Sequence, residues 1–359
     1  MSATLQVSVS VPGKVMLAGE YSALTGAPAM AASLSLTLNV QATALPANTL
    51  GGCRVSSNLW SEAHLVTKDR SPIDFPTEPL LAAVASAMTQ FDLSDVEVTL
   101  SSDLAVQYGI GSSSALRLAV IGAFNDLAQQ KANKPLQTGD ELAQVARSAL
   151  ALQRTAQKEA SGYDIATQWL GGIVISQTSS DLNQWPQALL RFSGAQLNRL
   201  NTFVHVLVGG KGAPTSAAIG KTSTWLNQGD RRPRLDAVNA KIIAAIRDVL
   251  EADADLTISQ LTSFRDLLKA TESHCLLFQD SPGFPADLFA KAAALPGWKD
   301  RWVMKTTGAG GEDAVIIFGS VDDAHQIAAA LAPLGWHLLP ASFGEGGLSI
   351  SRSTPVEEA

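Results

Sequence analysis

The stretch Tyr108–Val120, YGIGSSSALRLAV, narrows the folds open to this chain more than any other segment. Two glycines and three serines run straight into an apolar pattern of helical spacing, shortly after the alternating segment VEVTL at Val96–Leu100. Alternation of that kind reads as a strand with one buried face, so the local order is strand, glycine turn, helix. A helix begun this way leaves up to four N–H groups unpaired at the positive end of its dipole. Gly109 and Gly111 let a ligand approach the backbone closely, and an anion such as phosphate suits the site. A glycine turn with a serine N-cap is the plainer reading of the same residues. The nucleotide loop G-x-x-x-x-G-K-[ST] is not matched, because no lysine follows. The dinucleotide pattern G-x-G-x-x-G fails at Ser114, where its third glycine belongs. Any cation needed by a bound anion must come from elsewhere in the chain.

Two further segments bear on that cation. In VPGKVMLAGEYSALTGAPAM, Lys14 follows Pro12-Gly13 at the end of the alternating run LQVSVSV, with Glu20 six residues on. In MKTTGAGGEDAVIIF, Gly308, Gly310 and Gly311 separate Lys305 from an apolar run. Taken singly, these read as a solvated strand-end lysine and a hairpin turn. Two glycine-rich loops with small hydroxyl residues, however, point to backbone that must come close to something.

Bulk properties exclude several classes of partner. The net charge of −7 over 359 residues argues against nucleic acid or an anionic membrane. With 46% hydrophobic and 16% charged residues the chain is globular, and its length suggests two domains. Cys53 and Cys275 are the only cysteines, and the five histidines lack metal-ligand spacing, so neither a disulfide framework nor a zinc site is expected. No apolar run reaches membrane-spanning length and the N-terminal residues lack signal-peptide order, so a cytoplasmic protein is expected.

Further along, SLSLTLNVQA, GGIVIS, FVHVLVG, AVIIF, WHLLP and GLSIS read as strands. Helical spacing covers Glu78–Phe91, Ser113–Lys131, Arg234–Leu250, Ile258–Phe278 and Val321–Leu334. Thr138 and Glu141 have the spacing of a reciprocal cap, ahead of a helix through about Lys158. The segment from Gln177 to Arg199 is weakly patterned and holds the expected domain boundary, giving units 1–190 and 191–359. The class is α+β throughout.

Pro12-Gly13-Lys14 with Gly19-Glu20-Tyr21, then Gly109-Ile110-Gly111-Ser112-Ser113-Ser114, then Lys305-Thr306-Thr307-Gly308-Ala309-Gly310-Gly311 resemble the three ordered motifs of the GHMP kinases. The resemblance implies a two-domain fold: an N-terminal domain with a left-handed β-α-β crossover, a rare exception to the handedness rule, and a C-terminal ferredoxin-like domain. It also implies ATP and a small anionic substrate in the cleft between them, with Mg²⁺ as the metal, and a monomer or homodimer. Within the family, SGYDIATQWLGG and GGKGAPTSA look most like phosphomevalonate kinases.

By that resemblance, Gly109, Ile110, Gly111, Ser112, Ser113 and Ser114 hold the nucleotide, and Ser113 also holds the metal. Lys14 and Asp164 are catalytic. Lys211, Ser216, Lys305, Gly308, Ala309 and Gly310 meet the substrate. Gln153 departs from the pattern, since mevalonate kinases place a metal-binding glutamate eleven residues before the motif aspartate, and a neutral amide is a poor ligand for a hard cation. Arg117 is expected to be structural or surface-facing, and Trp60 is a candidate wall for adenine. As an N-cap, Asp164 would need no catalytic role.

The expected activity is ATP-dependent phosphorylation of (R)-5-phosphomevalonate to the diphosphate, in isoprenoid precursor synthesis. A kinase acting on a hydroxyl, such as that of mevalonate or a sugar, is the alternative. A nucleotide-binding regulator without turnover is a third reading, to which only Gln153 points. A phosphate monoester is already mostly dianionic at neutral pH, so its attack needs no base, and Asp164 is then expected to orient Lys14 and the acceptor.

Overall fold

A computed structural model describes residues 5–157, 159–178, 184–209, 215–308 and 313–353, leaving aside the side chains of 140 and 215–219. The first half of the chain contains β1 (Gln6–Ala18), β2 (Pro28–Ala44), β3 (Gly52–Ser57), β4 (His64–Thr67), α1 (Pro79–Phe91), β5 (Val96–Ser102), α2 (Ser112–Lys131), α3 (Ala143–Ala156), α4 (Tyr163–Leu170), β6 (Ile173–Gln177) and β7 (Gln187–Phe192). The second half contains α5 (Ala195–Phe203), β8 (Val204–Val208), α6 (Thr215–Leu226), α7 (Arg231–Glu251), α8 (Thr262–Phe278), α9 (Ala286–Ala293), β9 (Val303–Thr306), β10 (Ala314–Phe318), α10 (Val321–Leu331), β11 (His337–Leu338) and β12 (Ser349–Arg352).

The first sheet runs β12-β1-β2-β5-β3-β4, with β6 on the near half of β2 and β7 on β6. Its strands pair antiparallel except β3 with β5, which are parallel and joined by the crossover through β4 and α1. Alternation in LQVSVSV does what period two predicts: Val7, Val9 and Val11 are buried while Gln6, Ser8 and Ser10 are partly exposed. Beyond Val11 the same strand is buried on both faces as far as Ala18, which carries Lys14 into the interior instead of leaving it at a strand end. Helix α2 packs on β1 and β2 and is buried along most of its length from Ser114 to Leu127.

The second sheet is antiparallel in the order β11-β8-β10-β9. Numbered from its first strand this is 4-1-3-2, the order of a β-α-β-β-α-β ferredoxin-like unit, with α6 to α9 filling the first crossover. The weakly patterned 177–199 segment contains β7 and the start of α5, which alternation did not reveal because β7 is exposed along most of its length. β7 crosses the boundary expected at 190, and β12 returns to pair with β1, so the last strand belongs to the first sheet.

A buried ion pair joins the two sheets. Lys305 on β9 is fully buried and donates to the Glu20 carboxylate just beyond β1. His274 on α8 lies 3.7 Å from the other Glu20 oxygen and stacks on Phe278. The expected role of Lys305 at the substrate is therefore corrected: it closes the interior between the sheets. Burial, with Lys305 adding to it, holds the His274 pKa well below its ordinary 6.5.

Removing one member of such a pair strands the other charge. Lys305→Met should cost about 3–5 kcal/mol in denaturant unfolding, with Glu20→Gln added on top restoring part of the loss. Below pH 6.5 the unfolded chain binds a proton on His274 that the folded protein refuses, so stability falls as pH drops. Melting temperature should accordingly be lower at pH 5.5 than at pH 7.5, with His274→Gln flattening the slope and His205, lowered by burial, keeping the remainder.

Candidate active site

A bulge in β1 builds the site. Pairing with β2 slips between Pro12 and Lys14, and the freed Lys14 N–H donates instead to the Ile110 carbonyl at 2.8 Å. The glycine loop is thereby spliced to the strand. A Cβ at Gly13 would lie 2.8 Å from a Leu104 methyl and 3.1 Å from the Ile110 oxygen, so a side chain there would push against the loop. Gly111 has φ +89°, and a Cβ there would stand 2.8 Å from Gln168 Nε2 and 2.9 Å from Lys14 Cγ. The lysine stem passes through space that a side chain would fill. Gln168, itself buried, clamps both segments, its Nε2 donating to the Pro12 and Gly111 carbonyls at 2.9 Å each.

The stem ends with Nζ 3.0 Å from the Tyr163 hydroxyl and 3.4 Å from the Gly109 carbonyl. Burial by itself would lower the Lys14 pKa. Tyr163, Asp164 and Asp313 outweigh it, and the net direction is above the ordinary 10.5. Lys14 is a permanent cation at neutral pH. Burial raises the Tyr163 pKa, so the phenol keeps its proton, accepts from Lys14 and retains its own O–H for another partner.

Gly111 precedes the first turn of α2 and supplies no side-chain cap, while Ser114 Oγ donates back to its carbonyl. Ser112, Ser113 and Ser114 line one cavity with Lys14, Gly109, Gly111, Tyr163 and Asp164, a cleft of about 290 Å³. Thr307, Gly308 and Asp313 also line it, with Asp313 against Gly109 of the loop and Thr307 Oγ1 donating to the Met16 carbonyl at 2.7 Å. Asp164 lies in the first turn of α4, one residue beyond Tyr163. Its Oδ1 accepts from the Ile165 N–H and its Oδ2 from Gln153 Nε2, both at 2.9 Å. One turn along α2, Arg117 is buried and its Nη1 donates to the Ser113 carbonyl at 2.9 Å and to the Ser113 hydroxyl.

Residues 79–172 match the family model described as the GHMP kinases N terminal domain. Over these residues the chain is similar to the N-terminal domain of those kinases. It is 27% identical over 179 residues to the mevalonate kinase of Pyrococcus horikoshii, covering 47% of this chain and 50% of that protein. The chain thus spans about half the length of the curated relatives it matches. In fold, it is similar to the mevalonate kinase of Methanococcus jannaschii, with a TM-score of 0.68 at 17% identity over 94% of this chain and 98% of that one. It is also similar to Streptococcus pneumoniae phosphomevalonate kinase in complex with phosphomevalonate and AMPPNP, with a TM-score of 0.67 at 16% identity over 96% and 99%. The two-domain GHMP kinase fold accounts for both sheets and for the cleft between them.

In this GHMP kinase fold the metal role expected for Ser113 does not fit. The serine oxygen already accepts from Arg117. A divalent ion bound to it at about 2.1 Å would stand some 4–5 Å from the guanidinium, a repulsion of roughly 7 kcal/mol at an effective dielectric constant of 20. Gln153 turns its NH₂ group to Asp164. Among the described residues, no three His, Cys, Asp or Glu side chains gather to hold a metal.

Of the other expected residues, Gly109, Gly111, Ser112, Ser113, Ser114, Lys14, Asp164 and Gly308 share the cavity. Ile110 is buried behind it and contributes its carbonyl. Lys211, Ala309 and Gly310 lie outside the described residues, as does the side chain of Ser216 in α6. Trp60 is away from the cavity, edge-on to His64. Arg117 is neither on the surface nor remote. Its spacing of four from Ser113 on one helix was the signal available for it. Tyr163 and Gln168 escaped sequence reasoning, because a tyrosine and a glutamine on a short helix carry no motif of their own.

Gly111→Ala should displace Lys14, abolish most nucleotide-dependent turnover and cost about 1–3 kcal/mol of stability. Gly139→Ala is the control: it has φ +54° with nothing within 4 Å, and should keep its activity. Denaturant unfolding and ADP release measure both.

Proposed function

We propose that the chain is an ATP-dependent phosphotransferase acting on a small anionic acceptor, and that the acceptor is (R)-5-phosphomevalonate. One observation carries the reading: Lys14, which stays charged, meets the uncapped amino end of α2 in the same cavity as Asp164. Phosphoryl transfer is mainly a matter of positioning and of neutralising charge on the transferring group. The first-turn amides of α2 suit nucleotide phosphate, and Lys14, coming from β1, supplies the cation that the glycine loop lacks. The lysine reaches the loop through a strand bulge and not along the helix, which explains its absence from the loop sequence.

Asp164 bears on the acceptor. Both of its oxygens are engaged as acceptors, by Gln153 and by the Ile165 N–H, an arrangement that holds the carboxylate beside Lys14. For a phosphate acceptor, which arrives deprotonated, a fixed carboxylate that aligns Lys14 suffices. The likeness in fold to a phosphomevalonate kinase supports this choice, as does the resemblance around Asp164. A hydroxyl acceptor such as mevalonate is the second reading, favoured by the mevalonate kinases that the chain is similar to over about half its length.

Purified protein given ATP, Mg²⁺ and a panel containing mevalonate, 5-phosphomevalonate and simple sugars should release ADP with 5-phosphomevalonate. Lys14→Ala should lower kcat by about 10²–10³ as a lost electrostatic contact. Asp164→Asn should cost less than the 10²–10⁴ or so expected on removal of a general base. Collapse of turnover in the asparagine variant, with Lys14→Ala milder, would point to a hydroxyl acceptor. Tight ATP binding with no ADP from any acceptor would favour a regulator.

A further inference from the structure

Arg117 carries a buried charge that no ion pair answers directly. It is 9% exposed, yet among the described residues it forms no ion pair with a carboxylate, and Asp164 acts on it only through its field. Its hydrogen bonds go to the carbonyl and hydroxyl of Ser113, one turn back on α2. Elsewhere in the molecule such burial is compensated: fully buried Lys305 has Glu20. A buried cation without a paired carboxylate is costly, and an anion brought to it offsets that cost. The nearest place for one is the cavity lined by Ser113.

The direction of the Arg117–Ser113 bond decides what the serine offers. A hydroxyl has one donor hydrogen and two acceptor lone pairs. With Arg117 filling a lone pair, the Ser113 hydroxyl presents its hydrogen to the cavity, where it suits a phosphate oxygen. Across the cleft, Gln153 stands neutral where a carboxylate would draw a divalent ion, and its Oε1 is buried without a partner. Lys14 and Arg117 bring two cations to this cavity, beside the carboxylates of Asp164 and Asp313, so the positive charge at Ser113 is furnished by the protein itself.

We propose that Arg117 is a positioning residue of the phosphate site: through Ser113 it makes that hydroxyl a donor to nucleotide phosphate and supplies fixed positive charge in place of a divalent ion bound to the serine. A metal that enters does so on the nucleotide and not on Ser113. The inference rests on the phosphotransferase reading, because it takes the anion to be ATP.

Calorimetric titration of the whole protein with ATP, in excess EDTA and again in excess Mg²⁺, separates the two ideas. Wild-type protein should bind ATP in both buffers with similar affinity. Arg117→Gln should weaken binding in EDTA by about 10- to 100-fold, the worth of a charge-assisted hydrogen bond, and Arg117→Lys should recover part of it. Ser113→Ala leaves the guanidinium in place but breaks the relay, and should weaken EDTA binding in the same direction. It stands in if Arg117→Gln shows no cooperative melt. ATP binding that appears only with Mg²⁺, or EDTA binding unchanged in both Arg117→Gln and Ser113→Ala, overturns this proposal and leaves the kinase reading intact. No ATP binding by wild-type protein in either buffer overturns both.

Discussion

The splice between β1 and the glycine loop is the contact on which the site depends. One backbone hydrogen bond, Lys14 N–H to the Ile110 carbonyl, is released from the β1–β2 ladder by a bulge and spent on joining a strand to a helix start. Gly13 and Gly111 clear the space for it, and Gln168 holds both sides. Because the lysine stem lies against the loop itself, the ammonium and the open amides of α2 keep a fixed relation. That relation is a property of backbone geometry, which is more rigid than any pairing of side chains on separate surfaces.

Around this splice the chain distributes three buried cations in different ways. Lys305 is answered by Glu20 and joins the sheets. Lys14 is held by Tyr163 and by the fields of Asp164 and Asp313 at the cavity wall. Arg117 faces Ser113, with Asp164 as the anionic influence on it. These positions order the cations from structural to ligand-directed, and burial is what gives each its weight, since the interior screens charge far less than water. The same residue types on the surface would contribute little.

Much of the fold was legible in the sequence where burial is one-sided. LQVSVSV and VEVTL alternate because one face of the first sheet packs on α1 and α2, and AVIIF is uniformly apolar because β10 is covered on both faces. Where exposure breaks the pattern, as along β7, periodicity had nothing to report. The serines were singled out by glycine spacing, and Lys14 and Asp164 by the family resemblance; the structure brings all of them to one cavity. Lys305 was misplaced for a physical reason: a lysine beside a glycine loop looks the same in sequence whether it faces the cleft or turns inward to an acid 285 residues away.

The sequence by itself determined that a glycine turn opens onto a helix end suited to phosphate, and that the cation had to come from outside that loop. It also set the order of strands and helices, through periods that local sterics and burial impose. Only the tertiary structure decided which cation arrives, which acid holds it and which arginine stands behind the serine. Those choices hang on contacts between residues far apart in the chain, and such contacts leave no local period to read.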